Sequence, residues 1–168
     1  MIEFVTNIED FWSFYLETYQ YRKLVDFASM KNGVHWHDNF KHGHLLQSFD
    51  DDLPVPREKF VTSLDLNPSI STVSWICIRP NQFIAPHMDH FYQLRDAHNV
   101  TIDKCVRYLV FLQNWEFGQV VDFHSTNIRK WQRGDTWKFN HVEQHWAGNA
   151  SNIDLHTCQI NTIESLNS

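Results

Sequence analysis

The 168-residue sequence is short of the residues that usually punctuate or staple a chain: it has five glycines, five prolines and three cysteines. So little Gly and Pro excludes collagen-like and low-complexity classes, and three cysteines cannot make a disulfide-dense scaffold. Cys77, Cys105 and Cys158 are odd in number and lie in apolar, strand-like contexts, where a buried thiol packs as a small hydrophobe. Basic residues are outnumbered, with 14 Lys and Arg against 20 Asp and Glu. A net charge of −6 leaves no electrostatic footprint for nucleic acid or an anionic membrane, so neither is expected as a partner. No apolar run approaches the roughly 18 residues of a spanning helix. Met1-Ile2-Glu3 opens acidic, with no cleavage signature after it, and the expectation is a cytoplasmic location. No repeat or linker divides the chain, and its length suits one domain, 1–168, with an N-terminal part at 1–66 and a core at 67–162.

What the chain does have is histidine, 11 of them, and short strand-like runs. Pro80-Asn81 initiates a turn, and Pro86 keeps Ala85 extended, so His87-Met88-Asp89 is expected at a strand end. Cys105–Leu112 is the most strand-like stretch. Val120–His124, Trp131–Phe139 and Asn152–Ile160 follow it. Several short strands with turn signals predict a mainly β, double-sheet jelly roll with flanking helix. In an extended strand alternate side chains share a face, so His87 and Asp89 point together and His90 away. A later His145 would complete two imidazoles and one carboxylate on one face of a metal. That is the facial triad of non-haem Fe(II) sites, open opposite for a co-substrate and O₂. His141 competes with His145, but it sits at an Asn-His turn.

The order of the motifs carries a resemblance. His87-x-Asp89, Arg107-Tyr108-Leu109-x-Phe111-Leu112, Trp131-x-x-Gly134-Asp135, His145-x-x-x-Asn149 and a last strand ending Gln159-Ile160 succeed one another over Val73–Ile160, about half the chain. The succession resembles the catalytic core of Fe(II)/2-oxoglutarate-dependent oxygenases, nearest to small prolyl- and aspartyl/asparaginyl-hydroxylase-like members. The resemblance implies a double-stranded β-helix and Fe(II) at His87, Asp89 and His145. It also implies O₂ and 2-oxoglutarate as co-substrates, and hydroxylation of an unactivated C–H bond of a peptide, amino-acid residue or small molecule, with succinate and CO₂ as co-products. Trp131, Gly134 and Asp135 would form a structural turn and strand.

One departure matters. The family's usual Arg on the last core strand, which grips the far carboxylate of 2-oxoglutarate, is replaced by Leu155, and no Lys or Arg follows Lys138. Arg107 is the expected replacement, because Jumonji-type relatives anchor the same group from a corresponding strand with a Lys. A guanidinium can also take a carboxylate bidentately. The opposing reading makes Arg107 a structural ion pair. Tyr108 and His156 are further candidates, although Arg107 and Tyr108 are adjacent on one strand and cannot both face the pocket. Two other classes stay open: a cupin-like metalloprotein with the same triad and no 2-oxoglutarate, and a non-catalytic β-sandwich binding module.

The remaining expectations are these. Ile8–Phe27 spaces its apolar residues by three and four and is expected to form an amphipathic helix packed on the sheet, with Asn7 able to cap it. Lys31–Pro56 has no clear period and is expected to be an irregular lid, sharing substrate contacts with Phe91–Thr101. His35-Trp36-His37-Asp38 within it reads as surface histidines or substrate contacts. His124 and His156, on predicted core strands, read first as hydrogen-bonded core residues. Asn149 or a backbone carbonyl is expected to orient a ligand histidine.

Overall fold

The computed structural model describes residues 1–26 and 44–164, so His35-Trp36-His37-Asp38 lies outside the described residues. In chain order the elements are β1 (Glu3–Asn7), α1 (Ser13–Leu16), β2 (Lys23–Asp26), β3 (His44–Phe49), α2 (Arg57–Thr62), β4 (Ser71–Ile78) and β5 (Gln82–His87). There follow α3 (Tyr92–His98), β6 (Cys105–Phe111), β7 (Gln119–Phe123), β8 (Asn127–Ile128), β9 (Asp135–Asn140), β10 (His145–Asn149) and β11 (Leu155–Ile163). Seven strands form one sheet in the order β1-β9-β6-β11-β4-β3-β2, and four form a second in the order β5-β10-β7-β8. Every pairing is antiparallel. The two packed sheets make a double-stranded β-helix, or jelly roll, with three short α-helices outside it among the described residues. No helix among the described residues is long and apolar enough to cross a membrane.

Strand alternation sorts the core into two layers. Leu109, Phe111, Leu155, Ile76 and Ile78 of the large sheet meet Ile84, Val121 and Phe123 of the small one. On the opposite face of the same strands, Val73, Trp75, Tyr108, Val110, Cys158 and Ile160 pack under Trp12, Phe60 and Val61. Burial on both faces is why Cys105–Phe111 and Ser71–Ile78 read as near-continuous apolar runs.

The N-terminal segment is where expectation and structure part. Instead of the helix expected over Ile8–Phe27, the described residues of that span, 8–26, make four helical residues and strand β2. Trp12 is held as an anchor, its indole N–H donating to the Leu112 carbonyl at 2.9 Å. Phe11, Leu16, Tyr19 and Tyr21 cover the large sheet around it. Aromatic contact with a preformed sheet satisfies the three- and four-residue spacing, and helix propensity, weak in so aromatic a stretch, does not decide. Asp10, not Asn7, receives the N–H groups at the turn into α1, from Trp12 and Ser13 at 3.1 and 3.0 Å. Asn7 is a β1 residue whose amide donates to the Arg133 carbonyl at 2.8 Å.

The described part of the expected lid is also ordered. His44–Phe49 is a strand paired to β4. Asp50 accepts the Val73 N–H at 2.8 Å and pairs with Arg57, tying the following turn to the sheet. Residues 1–66 thus contribute three strands to the large sheet. Gly134 shows why the Trp-x-x-Gly-Asp motif is structural. At φ +87°, a Cβ there would collide with the Ile8 carbonyl, while Asp135 Oδ2 accepts the Gln132 N–H at 2.8 Å to close the turn.

Candidate metal centre

β5 ends and β10 begins at one point of the small sheet, where His87 and His145 are register partners. Their rings lie 4.2 Å apart, centroid to centroid. Asp89 lies just beyond β5, so strand pairing does not aim it as the alternation argument supposed. The chain turns sharply afterwards, with Phe91 in the left-handed region at φ 50° before α3 begins. Such a conformation is uncommon for an aromatic residue and is held by its surroundings. Here the Phe91 ring lies against the Arg107 guanidinium, 5.6 Å from ring centre to Cζ.

The three side chains converge. His87 Nε2 is 3.9 Å from Asp89 Oδ1, and His145 Nε2 is 3.8 Å from Asp89 Oδ2. Each imidazole is oriented from behind by a backbone carbonyl: His87 Nδ1 lies 2.9 Å from Ala85 O, and His145 Nδ1 lies 3.1 Å from Glu143 O. A carbonyl can only accept, so both neutral rings carry their proton on Nδ1 and turn the Nε2 lone pair towards Asp89. Of the two expected orienting groups, the carbonyls serve. Asn149 instead donates at 2.7 Å to the Ile78 and Ile153 carbonyls, holding the β10–β11 loop.

Electrostatics favour a dication here. Burial drives His145 down to about 4, with His87 and Arg107 adding to the effect, and burial lowers His87 as well. Both rings are therefore neutral donors at pH 7. Burial alone would raise Asp89, but the neighbouring positive charge, Arg107 foremost, outweighs it and keeps the carboxyl below its ordinary value. Asp89 Oδ2 and His145 Nε2 are buried with no hydrogen-bond partner among the described residues. Orphaned buried polar atoms are costly, and two of them facing one point are what a metal ion would satisfy. The donor set of two nitrogens and one carboxylate oxygen suits a divalent first-row metal.

Arg107 reaches the same place. Its Nη1 forms an ion pair with Asp89 Oδ1 at 2.9 Å, and its Nε donates to Asn161 Oδ1 at 2.8 Å. Tyr108 points to the opposite face, where its hydroxyl donates to Glu164 Oε1 at 3.2 Å. His156 also faces outward, 2.8 Å through Nδ1 from the Tyr21 hydroxyl. Of the three expected carboxylate anchors, only Arg107 lies at the triad. Leu155 is fully buried between the sheets.

His90 stacks on Tyr92, and neither it nor His141 joins the convergent group. His124 is exposed beyond β7 and not a core residue. The space beside the triad is about 30 Å³, lined mainly by Ile78, Ile84, Leu109, Val121 and Phe139.

A second convergent group, Cys77, Asp154 and His156, lies on the other face of the large sheet. The sequence marked Cys77 only as packing and gave Asp154 no role. The Asp154-x-His156 spacing was the available signal.

No protein-family model matches the chain, and no curated protein is similar to it by sequence. Solved structures that resemble it include a predicted oxalate decarboxylase from Thermotoga maritima, at 11% identity over 73% of this chain and 84% of that one, TM-score 0.45. Others are KdgF from Halomonas sp., at 10% over 73% and 81%, TM-score 0.43, and a cupin 2 conserved barrel domain protein from Salinispora arenicola, at 12% over 70% and 75%, TM-score 0.43. Likeness at this level carries nothing about activity, and the double-stranded β-helix rests on the strand order and pairing themselves.

Proposed function

We propose that the protein is a mononuclear non-haem Fe(II) oxygenase whose metal is held by His87, Asp89 and His145. The observation that carries this is the meeting of two Nε2 lone pairs and an ionised carboxylate, with Asp89 Oδ2 and His145 Nε2 buried and unsatisfied. Iron bound there with 2-oxoglutarate and O₂ would supply oxidation of an unactivated C–H bond to an alcohol, with succinate and CO₂ released.

The chain's own residues have separate tasks. Ala85 and Glu143 carbonyls fix the imidazole tautomers. Arg107 occupies Asp89 Oδ1, keeping the carboxylate charged and leaving Oδ2 for the metal. Phe123 and Phe139 wall His145, at 5.5 and 4.8 Å between ring centres, and keep water from that side. The substrate class that the motif order favours is a peptide or amino-acid residue.

The co-substrate divides two readings. The ordered motifs support 2-oxoglutarate. A cupin-like metalloenzyme working without it is supported by Leu155, by an Arg107 already engaged with Asp89 and Asn161, and by the small apolar space beside the triad. A dicarboxylate does not fit that space as it stands, since burying its far carboxylate without a counter-charge is expensive.

Anaerobic Fe(II) titration followed by 2-oxoglutarate separates the two. A weak visible charge-transfer band appearing only with both supports the first reading, and saturable Fe(II) binding that is lost in His145→Ala and gives no band supports the second. No Fe(II) binding at all removes both and leaves a non-catalytic β-sandwich module.

A further inference from the structure

We propose that Cys77, Asp154 and His156 form a second metal site, for a zinc-class divalent cation, beside the cleft on the outer face of the seven-stranded sheet. It is separate from the triad and independent of the oxygenase reading. The site follows from register: Cys77 on β4 and His156 on β11 are cross-strand partners, so their side chains stand together on one face. Asp154 enters just before β11. One ligand atom from each residue lies within 4.8 Å of the others.

The donor set differs in kind from the triad. A thiol sulfur, an imidazole nitrogen and a carboxylate oxygen suit zinc and its softer neighbours, and three protein ligands leave a fourth position open. With the sulfur deprotonated, the two anionic ligands balance a dication. His156 is held by Tyr21, whose hydroxyl meets Nδ1 at 2.8 Å and whose ring stacks 5.8 Å away, the kind of support that orients a ligand histidine.

Asp154 and His156 line a cleft of about 650 Å³, together with Arg79, Gln113 and Tyr21, while Cys77 is fully buried and outside that lining. Arg79 suits water or an anion in the fourth position. Without metal, burial and the neighbouring Asp154 carboxylate keep the Cys77 thiol protonated. On binding, sulfur exchanges its proton for the metal and the proton leaves to solvent in the cleft, with no change in oxidation state.

The test is Co²⁺ as a spectroscopic stand-in for zinc, added to the full chain. A thiolate-to-cobalt charge-transfer band should appear in wild type and persist in His145→Ala, since the triad has no sulfur. It should vanish in Cys77→Ser and fade on adding Zn²⁺. Asp154→Asn and His156→Ala should each weaken the titration at least about 10-fold. Should Cys77→Ser fail to fold, His156→Ala carries the test, because that ring borders an open cleft. No charge-transfer band at saturating Co²⁺, a band that survives Cys77→Ser, or an unchanged titration in His156→Ala would each overturn the proposal.

Discussion

The inner face of the four-stranded sheet and the outer face of the seven-stranded sheet carry two convergent side-chain groups under opposite conditions. Inside the β-helix, His87, Asp89 and His145 meet beside a small, mostly apolar space, two of their atoms have no hydrogen-bond partner among the described residues, and Arg107 supplies the counter-charge. Outside, Cys77 is buried, Asp154 and His156 border a roomy cleft, and His156 already has a partner in Tyr21. The inner group depends on a cation for satisfaction, whereas the outer group is tolerable without one. Perturbations should therefore be large inside and small outside.

Removing the inner counter-charge should have the largest effect. Arg107→Met leaves Asp89 buried without its partner, and breaking a buried pair costs about 3–5 kcal/mol. Denaturant unfolding of the metal-free protein should show this loss, with partial recovery in Arg107→Met/Asp89→Asn. If Arg107→Met is neutral, the inner group is not held as described.

Acidification comes next. His145 is depressed from 6.5 to about 4 in the folded chain, so the unfolded state binds the proton first. Stability of the metal-free protein should be full above pH 6.5 and fall, by on the order of 3 kcal/mol, as the pH drops towards 4. His145→Gln should flatten that profile, and an equally steep one would assign the loss to other groups.

Asn149→Ala should cost about 1–3 kcal/mol, because the carbonyls of Ile78 and Ile153 lose their donor. It loosens the loop that delivers Asp154, so Co²⁺ binding at the outer group should weaken more than Fe(II) binding at the inner one. Equal weakening would mean that the loop supports both. Tyr21→Phe is the mildest change, about 1 kcal/mol or less in stability, with a measurable drop only in outer-site Co²⁺ affinity.

The inner group was legible because its ligands sit in short, ordered motifs, although Asp89 lies beyond β5, where strand alternation does not set its direction. The strands β6, β7, part of β9 and most of β11 were legible as short apolar runs bounded by turn signals. Arg107 was visible as a functional cation, but its partner was not, since only the fold brings β6 beside the loop that carries Asp89. The outer group was invisible because it depends on the pairing of β4 with β11, which no local pattern records. The N-terminal segment misled because Phe11, Trp12, Leu16 and Tyr19 satisfy a helical spacing while wrapping a sheet.

The most direct test of the central claim is anaerobic Fe(II) binding to Cys77→Ser, in which only the inner group is left intact. The account predicts saturable binding of one Fe(II) per chain at pH 7, weakened at least about 10-fold in Cys77→Ser/His145→Ala and unchanged in Cys77→Ser/His141→Ala. Failure of Cys77→Ser to bind Fe(II), or loss of binding with His141→Ala but not with His145→Ala, would contradict it.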